Sequence, residues 1–325
     1  MTFYFNKAYL KDSIVIGGKL EANGPIGKYL DSVEDIINDS FENNEIYMLY
    51  KAIDMLKEKN KISDNDIDIA ISGELSNQLT TSSYTYRKLA IPLIGIYSAC
   101  STISLGIGLS SIILETNYVN NILVTTSSNN QSAERQFRNP IEYGGEKEET
   151  QTFTASIAAA CIISTSKSII KINSFTLGKV IDIGFTNSCD FGRAMAPAAI
   201  ETLLEHFKNT KTNPSDYDLI LTGDLSYYGY KIVKEELSKK YTYTKNYKDC
   251  GMILFDIKKQ NVFAGGSGPG TSAAVLLSYI KKEMENNKLN RVLLCATGAL
   301  MNPTMINQKN SIPCIAHVIE LRREI

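Results

Sequence analysis

The chain has 325 residues, 43% of them hydrophobic, with 34 basic against 35 acidic side chains and no long run of either sign. That is enough apolar material for two domains of ordinary size or one large pseudo-symmetric one, and the even charge argues against a nucleic-acid surface or a general affinity for anionic lipid. The six cysteines include no CxxC pair and only His206 and His317 could join them as ligands, so neither a metal site nor a disulfide framework is expected and a reducing compartment is the default.

The opening MTFYFNKAYLKDS has no basic segment followed by an apolar core, so no signal peptide is expected. No apolar stretch reaches spanning length, Ala155 to Ile163 being far too short. Residues 1 to 40 read as irregular, with Ile14 to Gly17 as an edge strand and Gly24-Pro25 as a turn. Asn44 to Lys59 places Ile46, Leu49, Ala52, Ile53 and Leu56 at the spacing of an amphipathic helix. Ile67 to Ile71 is a buried strand stopping at Gly73, Tyr84 to Leu89 belongs to the next helix, and Pro92 opens another strand.

The stretch IPLIGIYSACSTISLGIGLSSIIL, Ile91 to Leu114, organises the chain. A short apolar run meets Ser98, Ala99, Cys100 and Ser101 almost without a loop, and small and aliphatic residues then recur at helical spacing. Strand, tight turn and buried helix would hold the Cys100 sulfur over a helix N-terminus, where free N–H groups favour a thiolate. Packing is the competing reading, because free cysteine is among the most buried residue types.

Ile122 to Thr126 is a further strand ending at Ser127, and the alternation so far argues for a parallel sheet with crossover helices. Asn129 to Thr150 breaks it: a polar loop with Pro140 and Gly144-Gly145, long enough to be functional or mobile. Thr152 to Ser164 and Ser168 to Ile183 read as two long strands forming a hairpin at Thr165 to Lys167. Ala194 to Phe207 is a helix, and SIPCIAHVIEL, Ser311 to Leu321, is the last strand.

From Asp216 the chain repeats itself. DYDLILTGDLS (Asp216 to Ser226) matches DIDIAISGELS (Asp66 to Ser76), NRVLLCATG (Asn290 to Gly298) resembles NNILVTTSS (Asn120 to Ser128), and the Gly-rich turn and helix Gly265 to Ile280 falls where the Cys turn falls earlier. Two related α/β halves follow, 1–185 with the long loop 129–150 and the hairpin, and 186–325. GGSGPG (Gly265 to Gly270) does not have the glycine spacing of a dinucleotide site, and no cofactor is expected.

A duplicated half built this way resembles the thiolase fold, a five-layered αβαβα block whose nucleophilic Cys sits where Cys100 does. In the condensing enzymes of that fold a His follows the strand matching Leu219 to Thr222, where this chain has Gly223-Asp224. A second His or Asn precedes the helix that here begins TSAA, where this chain has Gly268-Pro269-Gly270. Claisen chemistry needs such groups to stabilise the developing enolate, so the chain resembles a thiolase without its chemistry. His317 is the one candidate to compensate, against the alternative of a satisfied core histidine.

The motifs ACST, AERQFR, EYGG, AMAPAA, DCG, VFAGGSG, LNRV, ATGAL, PTMI and IPCIAH, in one order from about Gly24 to His317, resemble the stage V sporulation protein AD family. The resemblance implies a non-catalytic, thiolase-like protein that binds dipicolinic acid, free or as its calcium chelate, and supports its uptake into the developing spore with membrane-embedded partner proteins. It further implies synthesis in the cytoplasm and peripheral association with the spore inner membrane, and thiolase-fold pairing points to a homodimer. Asn129 stands where the family usually has His, Val318 where it has Gly and Arg193 where it commonly has Ser, and the region before Gly24 reads as abbreviated.

A planar pyridine with two carboxylates calls for cationic donors at both ends and a flat apolar wall, and arginine forks suit carboxylates. Cys100, Ser127, Asn129, Arg135, Arg138, Tyr143 and His317 are therefore the expected ligand-binding residues, with Glu134 and Glu142 as oxygen donors should calcium be bound. The competing reading has Glu134, Arg135, Arg138 and Glu142 as salt bridges that pin the loop. Two other functions stand beside binding: acyl transfer or condensation by Cys100 with His317 as base, and a scaffold with a vestigial cavity.

Overall fold

The computed structural model describes residues 1–34 and 40–324. Its strands are β1 (Thr2–Tyr4), β2 (Tyr9–Gly18), β3 (Ser32–Glu34), β4 (Ile69–Gly73), β5 (Leu93–Gly95), β6 (Asn121–Ser128), β7 (Phe153–Thr154), β8 (Ile157–Ser164), β9 (Ile170–Thr176), β10 (Leu219–Thr222), β11 (Tyr247–Asp249), β12 (Gly266–Ser267), β13 (Arg291–Ala299) and β14 (Cys314–Arg323). Ten of them run in the order β11-β10-β13-β14-β9-β2-β8-β6-β4-β5, with β1 on β9 and β3 on β2, while β7 and β12 pair apart from the rest.

That order mirrors itself about its centre. Going outward from β2 one meets β8, β6, β4 and β5; going outward from β9 one meets β14, β13, β10 and β11. Within each set these are the first, fifth, fourth, second and third strands of the chain. Pair senses agree as well: β4 is parallel to β5 and β6, and β10 to β11 and β13, whereas β8 and β14 are antiparallel to both neighbours. Among the described residues the two sets pair at Tyr9 with Lys171 and Leu10 with Ile170.

Side-chain alternation then sorts the strands between layers. On β13, Val292, Leu294 and Ala296 face one core, and Leu293 and Cys295 another. On β8, Ile157, Ala159, Cys161 and Ile163 share the first of these cores, while Ala158, Ala160 and Ile162 pack under helix Phe41–Asn60 with Met48, Leu49 and Ile53. The shared central core holds Ile103 and Ile107 of helix Thr102–Glu115 and the run Ala273 to Ile280. Helix Phe191–Thr210 covers the far face with Met195, Ala199 and Leu203. The result is the five-layered αβαβα thiolase-like arrangement, and each large aliphatic side chain so buried contributes about 1.5–3 kcal/mol.

The sequence reading needs correction in three places. Ile14 to Gly17 belongs to the innermost strand of its set, because apolar residues on both faces of β2 fit only a strand covered on both sides. The hairpin does not form: β8 pairs with β2 and β6, and β9 pairs with β14, β1 and the start of β2. Thus β9, assigned from sequence to the first half, holds in the second set the position that β2 holds in the first. Finally, the polar loop after β6 opens with a helix, Asn130–Phe137, followed by a single 3₁₀ turn at Ile141–Tyr143. The expected irregular character of residues 35–39 lies outside the described residues.

Candidate functional site

Cys100 sits on a single 3₁₀ turn, Ala99–Ser101, that joins β5 to helix Thr102–Glu115. The turn is tight enough that Ala99 takes a left-handed φ of 46°, a conformation costing a non-glycine residue about 1–3 kcal/mol. Two neighbouring strands hold it. Gly73 at the end of β4 and Gly298 on β13 approach so closely that a Cβ would fall 2.1 Å from the Ile96 carbonyl oxygen and 2.5 Å from that of Ser98.

The thiol is buried and faces an acid. Cys100 Sγ lies 4.0 Å from Ser267 Oγ, and Ser267 Oγ donates to Asp224 Oδ2 at 3.0 Å. The backbone N–H of Gly268 also donates to Oδ2, at 3.1 Å, and Thr297 Oγ1 donates to Oδ1 at 2.8 Å. Burial pushes the Cys100 thiol well above its ordinary pKa, and the adjacent Asp224 carboxylate pushes it further, outweighing the Gly268 N–H and Ser267 donors. Asp224 is itself raised to about 6 by burial, against the hydrogen bonds from Cys100, Thr297, Gly268 and Ser267 that favour its charged form. The thiolate anticipated over a helix N-terminus is therefore suppressed, since a like charge and desolvation outweigh a few N–H dipoles.

His317 is turned to other work. Its Nε2 lies 3.1 Å from Ser98 Oγ, which is 2.6 Å from Ser101 Oγ, and its Nδ1 accepts the Gly178 N–H at 3.3 Å. Accepting at Nδ1 fixes the proton on Nε2, which donates to Ser98. Burial lowers the pKa of this imidazole to about 4, so it stays neutral, clamps the base of the Cys turn and packs against Phe175. Among the described residues, neither histidine has a hydrogen bond to Cys100; His206 binds Thr176 and Tyr217.

Above the thiol lies a narrow cavity of about 30 Å³ walled by Tyr97, Phe137, Arg138, Phe191 and Met301. Phe137, Arg138 and Met301 are shared with an outer chamber of about 340 Å³ that adds Glu134, Lys147 and Gln151. The chain entering this wall is set by Asn129, whose Oδ1 caps helix Asn130–Phe137 by accepting from Gln131 and Ser132. Buried Glu134 then receives Arg138 Nη1 on one oxygen at 2.8 Å and Lys147 Nζ on the other at 3.3 Å.

Of the residues expected to contact a ligand, the structure brings Cys100 and Arg138 to one cavity. Asn129 supports them from behind as the helix cap. Ser127 is fully buried and donates to Glu45. Arg135 points the other way, pairing with Glu42 over the Phe41 ring. Tyr143 is exposed, outside both cavities. Both oxygens of Glu134 are engaged by cations, and Glu142 is exposed and lines neither cavity. Sequence reasoning missed Asp224, Ser267, Thr297 and Lys147 as site residues, although the departure at Gly223-Asp224 marked the place.

Comparison with known proteins follows the same lines. The family described as Stage V sporulation protein AD matches residues 1–322. The Stage V sporulation protein AD of Bacillus subtilis (strain 168) is 43% identical over 310 residues, covering 94% of this chain and 91% of that protein. Among solved structures, 3-oxoacyl-[acyl-carrier-protein] synthase III from Aquifex aeolicus VF5 superposes with a TM-score of 0.61 at 12% identity, over 97% of this chain and 99% of the other. A point variant of Xanthomonas campestris OleA gives 0.63 at 13% identity, over 98% and 99%. At such identities these two enzymes establish the fold.

Proposed function

The chain belongs to the stage V sporulation protein AD family, and from that premise we propose that it is a non-catalytic thiolase-fold protein that binds dipicolinic acid and supports its uptake into the developing spore with membrane-embedded partners. The observation that carries the reading is the Asp224 carboxylate beside Cys100, at the place where a condensing enzyme needs a base. An acid there holds the thiol protonated, so the cysteine beneath the chamber is a poor nucleophile. Two further features support binding: cations Arg138 and Lys147 in the chamber wall, and the flat ring of Phe137 in the same wall. No described helix is long and apolar enough to cross a membrane, so in this reading the partners supply the passage.

Calorimetric titration of the full chain with dipicolinate tests the proposal, with pyridine as the control that lacks carboxylates. Saturable heat with dipicolinate and none with pyridine is the expected outcome; matching or absent heats for both would remove the reading. Repeating the titration with equimolar calcium separates the free acid from its chelate.

A further inference from the structure

Arg138 is the residue common to the outer chamber and the cavity above Cys100 whose hydrogen bonding is incomplete. Its Nη1 is held by Glu134 and its guanidinium lies 4.9 Å from the centre of the Phe191 ring. The side chain is only 9% exposed, yet its buried Nε has no hydrogen-bond partner. A buried charged donor left unpaired costs free energy that a correctly placed acceptor recovers. Close by, Lys147 Nζ shares the same Glu134 and remains 29% exposed on the chamber side. One carboxylate serving two cations leaves this cluster of three with a formal charge of +1, and the exposed Glu146 elsewhere on the lining brings the chamber as a whole to neutrality.

The volumes say where a ligand can sit. The cavity above Cys100, at about 30 Å³, is roughly a tenth of the smallest volume usual for a small-molecule site, about 300 Å³. The outer chamber, at about 340 Å³, lies within the range of small-molecule sites.

We propose that Arg138 and Lys147, mounted together on Glu134, are a two-point clamp that selects ligands by the number and spacing of their carboxylates. Arg138 Nε–H donates to one carboxylate and Lys147 leaves Glu134 to meet the other, with the ring held in the outer chamber against Phe137. The inference rests on the dipicolinate reading and deepens it, since it names the groups that distinguish a diacid from a monoacid. Arginine is required at the first point because its Nε and Nη donors are fixed in one plane, while a lysine ammonium is a single movable charge.

Calorimetry with pyridine-2,6-dicarboxylate and pyridine-2-carboxylate, on the wild type, Arg138→Lys and Lys147→Met, tests the clamp. The wild type should bind the diacid at least about tenfold tighter than the monoacid, as one additional charge-assisted pair provides. Lys147→Met should bring the two acids within about threefold of each other while monoacid affinity holds. Arg138→Lys should weaken both by about tenfold or more despite keeping the charge. Thermal melts confirm folding, and because Lys147 is partly exposed its variant remains informative should Arg138→Lys unfold. A wild type that binds the diacid, with both variants unchanged or with no preference over the monoacid, overturns the clamp and leaves the binding reading standing. A wild type that binds neither acid overturns both.

Discussion

Replacing Asp224 by Asn should make Cys100 more reactive. Asn is nearly isosteric, and its oxygen can take the Oδ2 position, where it still accepts from Ser267 Oγ and the Gly268 N–H. The amide nitrogen then faces Thr297 Oγ1, which can turn its hydroxyl and accept. What is lost is the negative charge beside the thiol, the second-largest cause of its raised pKa after burial. Removing such a neighbour lowers a pKa by roughly 1–3, which at pH 8 multiplies the thiolate population about 10- to 1,000-fold. A less basic thiolate is also a weaker nucleophile, with a Brønsted slope of about 0.4–0.5, so the net gain in rate is roughly 3- to 30-fold. Burial persists in the variant, and the thiol stays above an ordinary cysteine. The assay is iodoacetamide labelling at pH 8 with peptide mapping, in which the partly exposed Cys189 reports equal labelling conditions. A Cys100 rate in folded Asp224→Asn equal to or below that of the wild type would refute the electrostatic argument.

The remaining predictions concern stability. Burial raises Glu21, Glu45 and Asp249 to about 7 and Asp224 to about 6, and lowers His206 and His317 to about 4. Between about pH 4 and 7 the native state holds carboxyl protons that the unfolded chain has released, so those four acids add stability as pH falls through about 7. The two histidines act oppositely below about 6.5, where the unfolded chain takes up protons the native state refuses. Four against two predicts a melting temperature that rises from pH 8 to pH 6, and a steady fall over that range in differential scanning calorimetry would contradict it. Asn129→Ala removes the cap of helix Asn130–Phe137 and should cost about 1 kcal/mol in urea denaturation; no change would show that the helix is held by its ion pairs alone. Gly108→Ala places a Cβ 2.4 Å from the Phe175 ring, an overpacking cost of about 1–3 kcal/mol against a helix-propensity gain of about 1 kcal/mol. The variant should be destabilised, and Phe175→Leu in the same chain should restore part of the loss; a more stable single variant would mean that the ring moves aside freely.

The doubling was legible because both copies do the same local work. Asp68 accepts the N–H groups of Asn120 and Asn121, and Asp218 those of Asn290 and Arg291. Ser63 with Asp66 and Asn213 with Asp216 form matching capping boxes, and Lys61 and Lys211 close the preceding helices in the same left-handed conformation. Such duties need particular residues, so they leave a pattern. The false hairpin came from strands whose partners are chosen by sheet order, which Ile157 to Ser164 and Ile170 to Thr176 do not encode.

Side-chain direction was the second gap. Arg135 and Arg138 look equivalent in sequence, but Arg138 ends its helix with φ −135° and ψ −106°, so it leaves the helical track, and the two serve opposite sides. Asp224 was visible as a missing histidine, and its positive effect on the thiol required knowing that residue 224 and residue 100 meet. His317 was one ring in an apolar strand, and only its register opposite Ala296 brings it under Ser98 in place of Cys100.

The central claim, that this fold keeps its cysteine while holding it protonated and unreactive, is tested most directly by intact-mass spectrometry of the wild type after incubation with acyl-CoA at neutral pH. The account predicts an unchanged mass. Stoichiometric acylation mapped to Cys100, faster than at the more exposed Cys189, would contradict it and restore the chain to the enzymes whose fold it shares.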